Sequence, residues 1–211
     1  MNLNLLIGLA MGLNLLAVGS SRLPMLINTV AAQGVTLGIM PLLLGHLDDW
    51  TFVLLAVATI AGKGLMIPHL LRRAMRATSM DRDLSPIIGF VPSLLLGAAA
   101  TLAAVLLARQ LPLLPEHAGN LVVPGAIATV LSGFILLIGR AKAISQVCGY
   151  LLLENGIYLF GLLLIKATPL LVEAGVLLDL TVGIFVIGII VDRIQRAFDS
   201  LDTRKLTILH E

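Results

Sequence analysis

The sequence predicts an all-α, polytopic integral membrane protein, on three observations. Of the 211 residues, 58% are apolar and only 12% are charged, where a soluble domain has about 25% charged residues. The mean hydropathy is +1.04. The apolar residues also form runs of about 20, which is the length that an α-helix needs to cross the hydrocarbon core. A water-soluble globular protein is therefore excluded.

Seven apolar runs, separated by charged residues, proline and glycine, each predict one transmembrane helix. The fourth run has the clearest start, because Ser85 can cap the helix and Pro86 suits its first position. The predicted spans cover residues 3–19, 23–45, 51–71, 87–108, 120–138, 143–165 and 172–191.

Small residues spaced four apart predict close packing of helix backbones in the first two spans. In the first span these residues are Gly8 and Gly12. In the second span they are Gly34 and Gly38. We interpret both pairs as ordinary packing contacts.

The distribution of Lys and Arg predicts an N-terminus outside the membrane and a C-terminus in the cytoplasm. With seven spans, all 14 cationic residues fall on one side except Arg109, Lys166 and the intrahelical Lys63. Short cytoplasmic loops retain positive charge, so that side is expected to be cytoplasmic. No cation precedes Arg22, so the first run lacks the basic region of a signal peptide and is kept as a span.

Several functions are excluded by composition. The net charge is only +2 and the cations are scattered, so no nucleic-acid surface is predicted. Cys148 is the single cysteine, so an internal disulfide and a four-thiolate iron–sulfur site are both impossible. No phosphate-binding loop, metal-spaced cluster or activated nucleophile is present. We therefore expect no catalysis by this chain alone, and no cofactor or metal in it.

Three ionisable residues fall deep within predicted spans: Lys63, Glu154 and Asp179. Each would cost at least about 2.5 kcal/mol if left charged at the bilayer centre. Buried groups of opposite charge at one depth can exchange a proton at low cost, which predicts proton transfer. The alternative is an ion pair that holds helices together, formed by Lys63 with either carboxylate.

Four further residues form a predicted secondary path. Asn155 and Tyr158 lie close to Glu154 in sequence and could hydrogen-bond its carboxylate or anchor a bridging water. Glu173 begins the seventh span, as a proton exit or as a solvated helix-start carboxylate. His69 lies near the cytoplasmic end of the third span, as a relay or as a partly solvated side chain.

These residues lie in segments that resemble component E of the hydrogenase-4 type membrane complexes, which are relatives of respiratory complex I. The strongest segment surrounds Glu154, and Lys63 with Pro68 is similar to the family's third-helix motif. The matching segments are GYLLLENG at 149–156, LVEAG at 171–175, LD at 178–179, LD at 201–202 and LT at 206–207.

The second half also resembles the NuoK subunit of complex I and the MrpC subunit of multisubunit cation/proton antiporters. In that family two buried glutamates lie on a lateral proton path. Glu154 matches the first, and Asp179 stands where the second is expected, with a side chain one methylene shorter. The resemblance implies an N-terminal four-helix region at 1–119, a NuoK-like three-helix region at 120–197 and a cytoplasmic tail at 198–211.

The resemblance implies a non-catalytic subunit of a prokaryotic inner-membrane complex, with Glu154, Asp179 and Lys63 in proton translocation. The implied partners are antiporter-like proton-pumping subunits, a membrane anchor of the redox arm, and a hydrogenase module carrying nickel–iron and iron–sulfur centres. One alternative is a structural spacer between the antiporter-like subunits and the redox arm. Another is a cation/proton antiporter subunit, which predicts sodium dependence and which the length disfavours, since MrpC matches only the second half.

Overall fold

The computed structural model describes residues 3–44, 50–77, 86–112 and 119–164, and the single residues Gly175, Thr181, Gly183 and Gly188. Helices account for the first six predicted spans, and the seventh span and the tail lie outside the described ranges. The helices are α1 (Leu3–Gly19), α2 (Leu23–Leu44), α3 (Trp50–Thr59), a π-helix (Ile60–Met66), α4 (Ile67–Ala77), α5 (Phe90–Ala108), α6 (Val122–Gly139) and α7 (Ala143–Leu164).

The burial pattern of these helices is that of a multi-pass membrane protein. Within the described residues, five helical stretches are long and apolar enough to cross a bilayer, and α1 is a shorter apolar helix. Large apolar side chains face outward, such as Val91 at 69% exposed and Ile138 at 67%, whereas Asn14 and Gln33 are fully buried. Lipid solvates apolar side chains, and buried polar groups must find partners inside the bundle. The number of spans and their orientation stay predictions.

The third span is longer than predicted and contains an irregularity that the sequence did not indicate. It runs without a break from α3 through the π-helix to the end of α4 at Ala77, instead of ending at residue 71. The N–H of Ile67 donates to the carbonyl of Gly62, five residues earlier, and the backbone stays right-handed helical at Thr59 and Ile67. A π-helix rotates the following residues relative to an ideal α-helix, so it determines which side Lys63 faces.

The predicted start of the fourth span is wrong. The helix α5 begins at Phe90, and Pro86 instead forms an isolated antiparallel bridge with Arg140. The N–H groups of Ile87 and Ile88 both donate to the carbonyl of Gly139, at 2.9 and 3.3 Å. These two bonds hold the segment before α5 against the end of α6, and the helix begins after that segment. Ser85 lies outside the described residues.

The helices α6 and α7 pack backbone against backbone. A Cβ atom at Gly133 would lie 2.5 Å from the backbone nitrogen of Leu153, and one at Gly156 would lie 2.6 Å from a methyl carbon of Val130. Real Cβ atoms do not approach that closely, so glycine is required at both contacts. This packing fixes α7, which carries Glu154, against α6.

The predicted glycine contacts are found in α2, and in α1 no such contact is found among the described residues. A Cβ atom at Gly34 would lie 2.9 Å from Lys63 Cβ, and one at Gly38 would lie 2.5 Å from a side-chain carbon of the π-helix. The helix α2 therefore packs tightly on the π-helix. At Gly8 and Gly12 the added atom would meet nothing within 4 Å, so neither glycine makes a close contact with the described residues.

The interior of the bundle has two apolar clusters with polar residues between them. Along α2, for example, Leu26 belongs to one cluster and Met40 to the other, and the fully buried Gln33 lies between the two. The same order recurs along the other helices that reach both clusters. We call the residues between the clusters the polar layer: Asn14, Gln33, Lys63, Thr129, Glu154 and Asn155.

Candidate functional site

The centre of the polar layer is an ion pair between Lys63 and Glu154. The Lys63 Nζ atom lies 3.9 Å from Glu154 Oε2, and each side chain is 4% exposed. Lys63 lies on the π-helix and Glu154 near the middle of α7. A direct charge-assisted hydrogen bond measures about 2.7–2.9 Å, so the two groups attract each other without forming a short bond. Of the two carboxylates predicted as partners of Lys63, the structure shows Glu154.

Tyr158 adds an aromatic contact to this ion pair. It lies one turn after Glu154 on α7, and its ring centroid is 5.7 Å from Lys63 Nζ. A cation within about 6 Å of an aromatic ring face is attracted to it. The hydroxyl of Tyr158 and that of Thr59, at the end of α3, are both buried without a hydrogen-bond partner among the described residues. The helix α7 therefore presents both a carboxylate and an aromatic face to the Lys63 ammonium.

A chain of side-chain hydrogen bonds crosses the bundle beside the ion pair. Asn155 Nδ2 donates to Gln33 Oε1 at 3.1 Å, and Gln33 Nε2 donates to Asn14 Oδ1 at 2.7 Å. Asn14 Nδ2 then donates to Thr129 Oγ1 at 2.9 Å, and Thr129 Oγ1 donates to the carbonyl of Gly125 at 2.7 Å. All four bonds donate in the same sense, from α7 through α2 and α1 to α6. The chain holds Asn155, and with it the turn of α7 that carries Glu154.

Three members of this hydrogen-bond chain were not predicted from the sequence as site residues. Asn14, Gln33 and Thr129 are each 0% exposed, yet only ionisable residues and their neighbours were selected from the apolar runs. A signal was present, because Asn14 and Gln33 are uncharged polar residues in the middle of apolar spans. Such residues need partners inside the membrane, as charged residues do.

A small cavity adjoins the ion pair. Its wall includes Lys63, Asn155, Ile67 and Leu151, and a water centre can occupy about 10 Å³ of it. Asn155 Oδ1 lies buried without a hydrogen-bond partner among the described residues. A volume of about 10–15 Å³ on this measure holds one water molecule. The site thus has room for one water beside two polar side chains.

Of the other predicted site residues, the structure describes only His69, which does not join this cluster. His69 is exposed on the outside of α4. Asp179 and Glu173 lie outside the described residues, and their roles stay predictions. Gly183 is described, and a Cβ atom there would lie 3.5 Å from Ile67 Cδ1 and 4.0 Å from Leu151 Cδ2. That places Gly183 against two residues that line the small cavity.

A second buried cation, Arg140, lies at one end of the bundle. It is 1% exposed, and its Nη2 and Nη1 atoms donate to the carbonyls of Val18 at 2.6 Å and Ile88 at 3.1 Å. Its guanidinium carbon is 5.1 Å from the centroid of the Phe90 ring. Burial lowers the pKa of Arg140 from its ordinary value, but a guanidinium stays protonated in proteins. Arg140 therefore joins the end of α1, the start of α5 and the end of α6.

Comparison with known proteins finds two kinds of relative. The chain is 33% identical over 216 residues to the uncharacterized protein Rv0085 of Mycobacterium tuberculosis, covering 100% of this chain and 98% of the relative. It is 26% identical over 147 residues to hydrogenase-4 component E of Escherichia coli, covering 70% of this chain and 68% of the relative. The same protein from Shigella flexneri matches equally. No family model and no solved structure matches the chain.

Proposed function

We propose that this chain, which belongs to the same family as Rv0085 of Mycobacterium tuberculosis, is a non-catalytic subunit of a complex I-like, hydrogenase-type membrane complex. The similarity to hydrogenase-4 component E and the multi-pass helical fold support the proposal. The proposed partners are antiporter-like subunits, a membrane anchor of the redox arm and a hydrogenase module. Nickel–iron and iron–sulfur centres belong to that module, and the complex lies in the inner membrane of a prokaryotic cell.

Within that complex, the proposed role of this protein is proton transfer through the Lys63–Glu154 pair. The observation that carries it is the 3.9 Å separation of two buried, oppositely charged groups near the middle of their helices. If the Lys63 ammonium gives its proton to the Glu154 carboxylate, both groups become neutral, and no uncompensated charge is left in the membrane. The pair can therefore change its protonation state at low cost when its surroundings change.

The proposed direction of transfer is sideways, along the middle of the membrane. The two apolar clusters lie on either side of the polar layer along the helix axes, whereas the hydrogen bonds of the layer run from helix to helix. Asp179 is the proposed next carboxylate, four residues before Gly183 in the sequence. Glu173 is the proposed exit, and His69 is a proposed relay. The backbone packing of α6 on α7 supports a NuoK-like unit within residues 120–197.

The test replaces Glu154 by glutamine, which keeps the volume and most hydrogen bonds but cannot be ionised. Vesicles containing the whole complex are assayed for proton uptake per redox turnover, and the purified complex for its subunit content. We expect full assembly with proton uptake about a hundredfold lower or more, the small end of the effect of removing a proton-transferring group. Glu116→Gln is the matched control and should behave as wild type. In the sequence, residue 116 lies between α5 and α6.

A structural spacer is the second candidate, and the polar layer supports it as well. The hydrogen-bond chain joins α7, α2, α1 and α6, and the ion pair adds the π-helix. A spacer predicts that Glu154→Gln either pumps at the wild-type level or loses subunits before pumping changes. A cation/proton antiporter subunit is the third candidate, and it predicts sodium-dependent transport with no hydrogenase module in the purified complex.

A further inference from the structure

A groove of about 840 Å³ lies on the outer surface of the bundle, between α1 and α2. Leu13 of α1 and an outward-facing stripe along α2 line it. In that stripe Met25 and Ala32 are apolar, whereas Arg22 and Asn28 are polar, and all four are exposed. Asn28 is an exposed amide on an apolar helix face, and such a group needs hydrogen-bond partners in lipid.

Two arginines adjoin this groove. Arg22 forms part of its wall, just before the first residue of α2. Arg72 reaches across from α4, and its Nη2 atom donates to Asn28 Oδ1 at 2.7 Å. Among the residues that the structure describes, no carboxylate forms a salt bridge with either arginine. The groove therefore has one cation in its wall, and a second cation contacts the Asn28 amide that also lines it.

The dimensions of the groove match a lipid lying along a helix. Arg22 and Ala32 are ten residues apart in the sequence, which is about 15 Å along a helix axis. The charged end coincides with the end of α2, and the apolar part extends toward the middle of the span. Basic pockets at the ends of transmembrane helices are typical sites for anionic lipid headgroups.

We propose that this groove binds one anionic phospholipid. Its phosphate lies between Arg22 and Arg72, and a glycerol ester oxygen accepts a hydrogen bond from Asn28 Nδ2. One acyl chain lies along Met25 and Ala32. A protein helix fits the groove less well, because it would have to bring acidic side chains into the membrane to match the arginines. This site is independent of the proposed proton transfer.

The test measures lipid binding to the full chain, purified in detergent and delipidated, by native mass spectrometry. Dioleoyl phosphatidylglycerol is compared with dioleoyl phosphatidylcholine for wild type, for Arg22→Gln/Arg72→Gln and for Arg73→Gln/Arg76→Gln. The second double variant removes two exposed cations from the same helix end without touching the groove. We expect wild type and that control to prefer phosphatidylglycerol by about tenfold or more, and the groove variant to lose the preference.

Three results would overturn the proposal. Equal binding of the two lipids by wild type would show no headgroup site, and equal loss in both double variants would show only a general surface charge. Loss of subunits from the complex with unchanged lipid preference would assign the groove to a partner protein. Arg22→Lys/Arg72→Lys keeps the charges and should retain the preference, which guards against misreading a folding defect.

Discussion

Among the described residues two cations are buried, and they are stabilised in opposite ways. Lys63 is 5% exposed, lies within a helix and faces the carboxylate of Glu154. Arg140 is 1% exposed, lies between two helices and donates to neutral carbonyls. A lysine can lose its proton and a glutamate can gain one, whereas a guanidinium keeps its charge. The molecule thus pairs a lysine with a carboxylate in the polar layer and holds an arginine on neutral carbonyls at its end.

The positions of the two cations explain their different partners. Val18, which accepts a hydrogen bond from Arg140, belongs to the last turn of α1, where helix carbonyls lack partners within the helix. The negative end of the helix dipole also favours a cation there. Around Lys63 the backbone carbonyls are engaged in helical bonds, so a counter-ion is needed. The stability of Lys63 therefore depends on Glu154 more than that of Arg140 depends on any one partner.

Replacing Arg140 by methionine should give the largest loss of stability. The substitution leaves the carbonyl of Val18 without its Arg140 donor, leaves the carbonyl of Ile88 with only the Ser93 hydroxyl as donor, and removes a fixed link between three helix ends. We expect the free energy of unfolding to fall by about 4 kcal/mol, measured by denaturant titration of the detergent-solubilised protein. Arg76→Met removes an exposed cation and should change little. Equal unfolding of the two variants would contradict the structural role of Arg140.

Replacing Lys63 by methionine should cost somewhat less, about 3 kcal/mol, because Glu154 is left buried without its counter-ion. In the same titration, Lys63→Met/Glu154→Gln should be more stable than Lys63→Met alone, since no charge remains uncompensated. A double variant whose loss equals the sum of the two single losses would show that the two side chains do not interact.

Replacing Gln33 by leucine should break the hydrogen-bond chain in its middle. Asn14 Oδ1 loses its donor and Asn155 Nδ2 loses its acceptor, which we expect to cost about 2 kcal/mol of unfolding free energy. The double variant Asn14→Leu/Gln33→Leu should lose less unfolding free energy than the sum of the two single losses, because both residues belong to one hydrogen-bond chain. Fully additive losses would place the two residues in separate networks.

Replacing Gly34 by alanine should give the smallest effect, about 1–2 kcal/mol, because the new methyl group pushes against the backbone of Lys63. Gly12→Ala is the matched control, since a Cβ atom there meets nothing within 4 Å. Melting temperatures of the two variants in one detergent suffice for the comparison. Equal melting temperatures would mean that α2 does not press on the π-helix.

The sequence predicted the helices well because bilayer crossing imposes a length and a composition that can be counted. It also selected Lys63 and Glu154, since charge in an apolar run is conspicuous. It could not decide which carboxylate Lys63 faces, because the answer depends on packing between distant helices. The close contact at Gly34 and the π-helix, which together orient Lys63, do not follow from hydropathy.

The predicted start of α5 was wrong for a similar reason. Ser85 followed by Pro86 is a sound local signal, but the contact of Pro86 with Arg140, 54 positions later in the sequence, overrides it. The hydrogen-bond chain was not predicted, because an uncharged amide is a weaker signal in an apolar run than a charged side chain. In both cases the deciding interaction joins residues that are distant in the sequence.

Redox-triggered infrared difference spectroscopy of the whole membrane complex is the most direct test of proton exchange at Glu154. A carboxyl group that gains or loses a proton changes its carboxylic acid C=O band. We expect such a band in the wild-type complex and in Glu116→Gln, and its loss in fully assembled Glu154→Gln. An identical band in an assembled Glu154→Gln complex would show that Glu154 keeps one protonation state, and the Lys63–Glu154 pair would then be a structural ion pair.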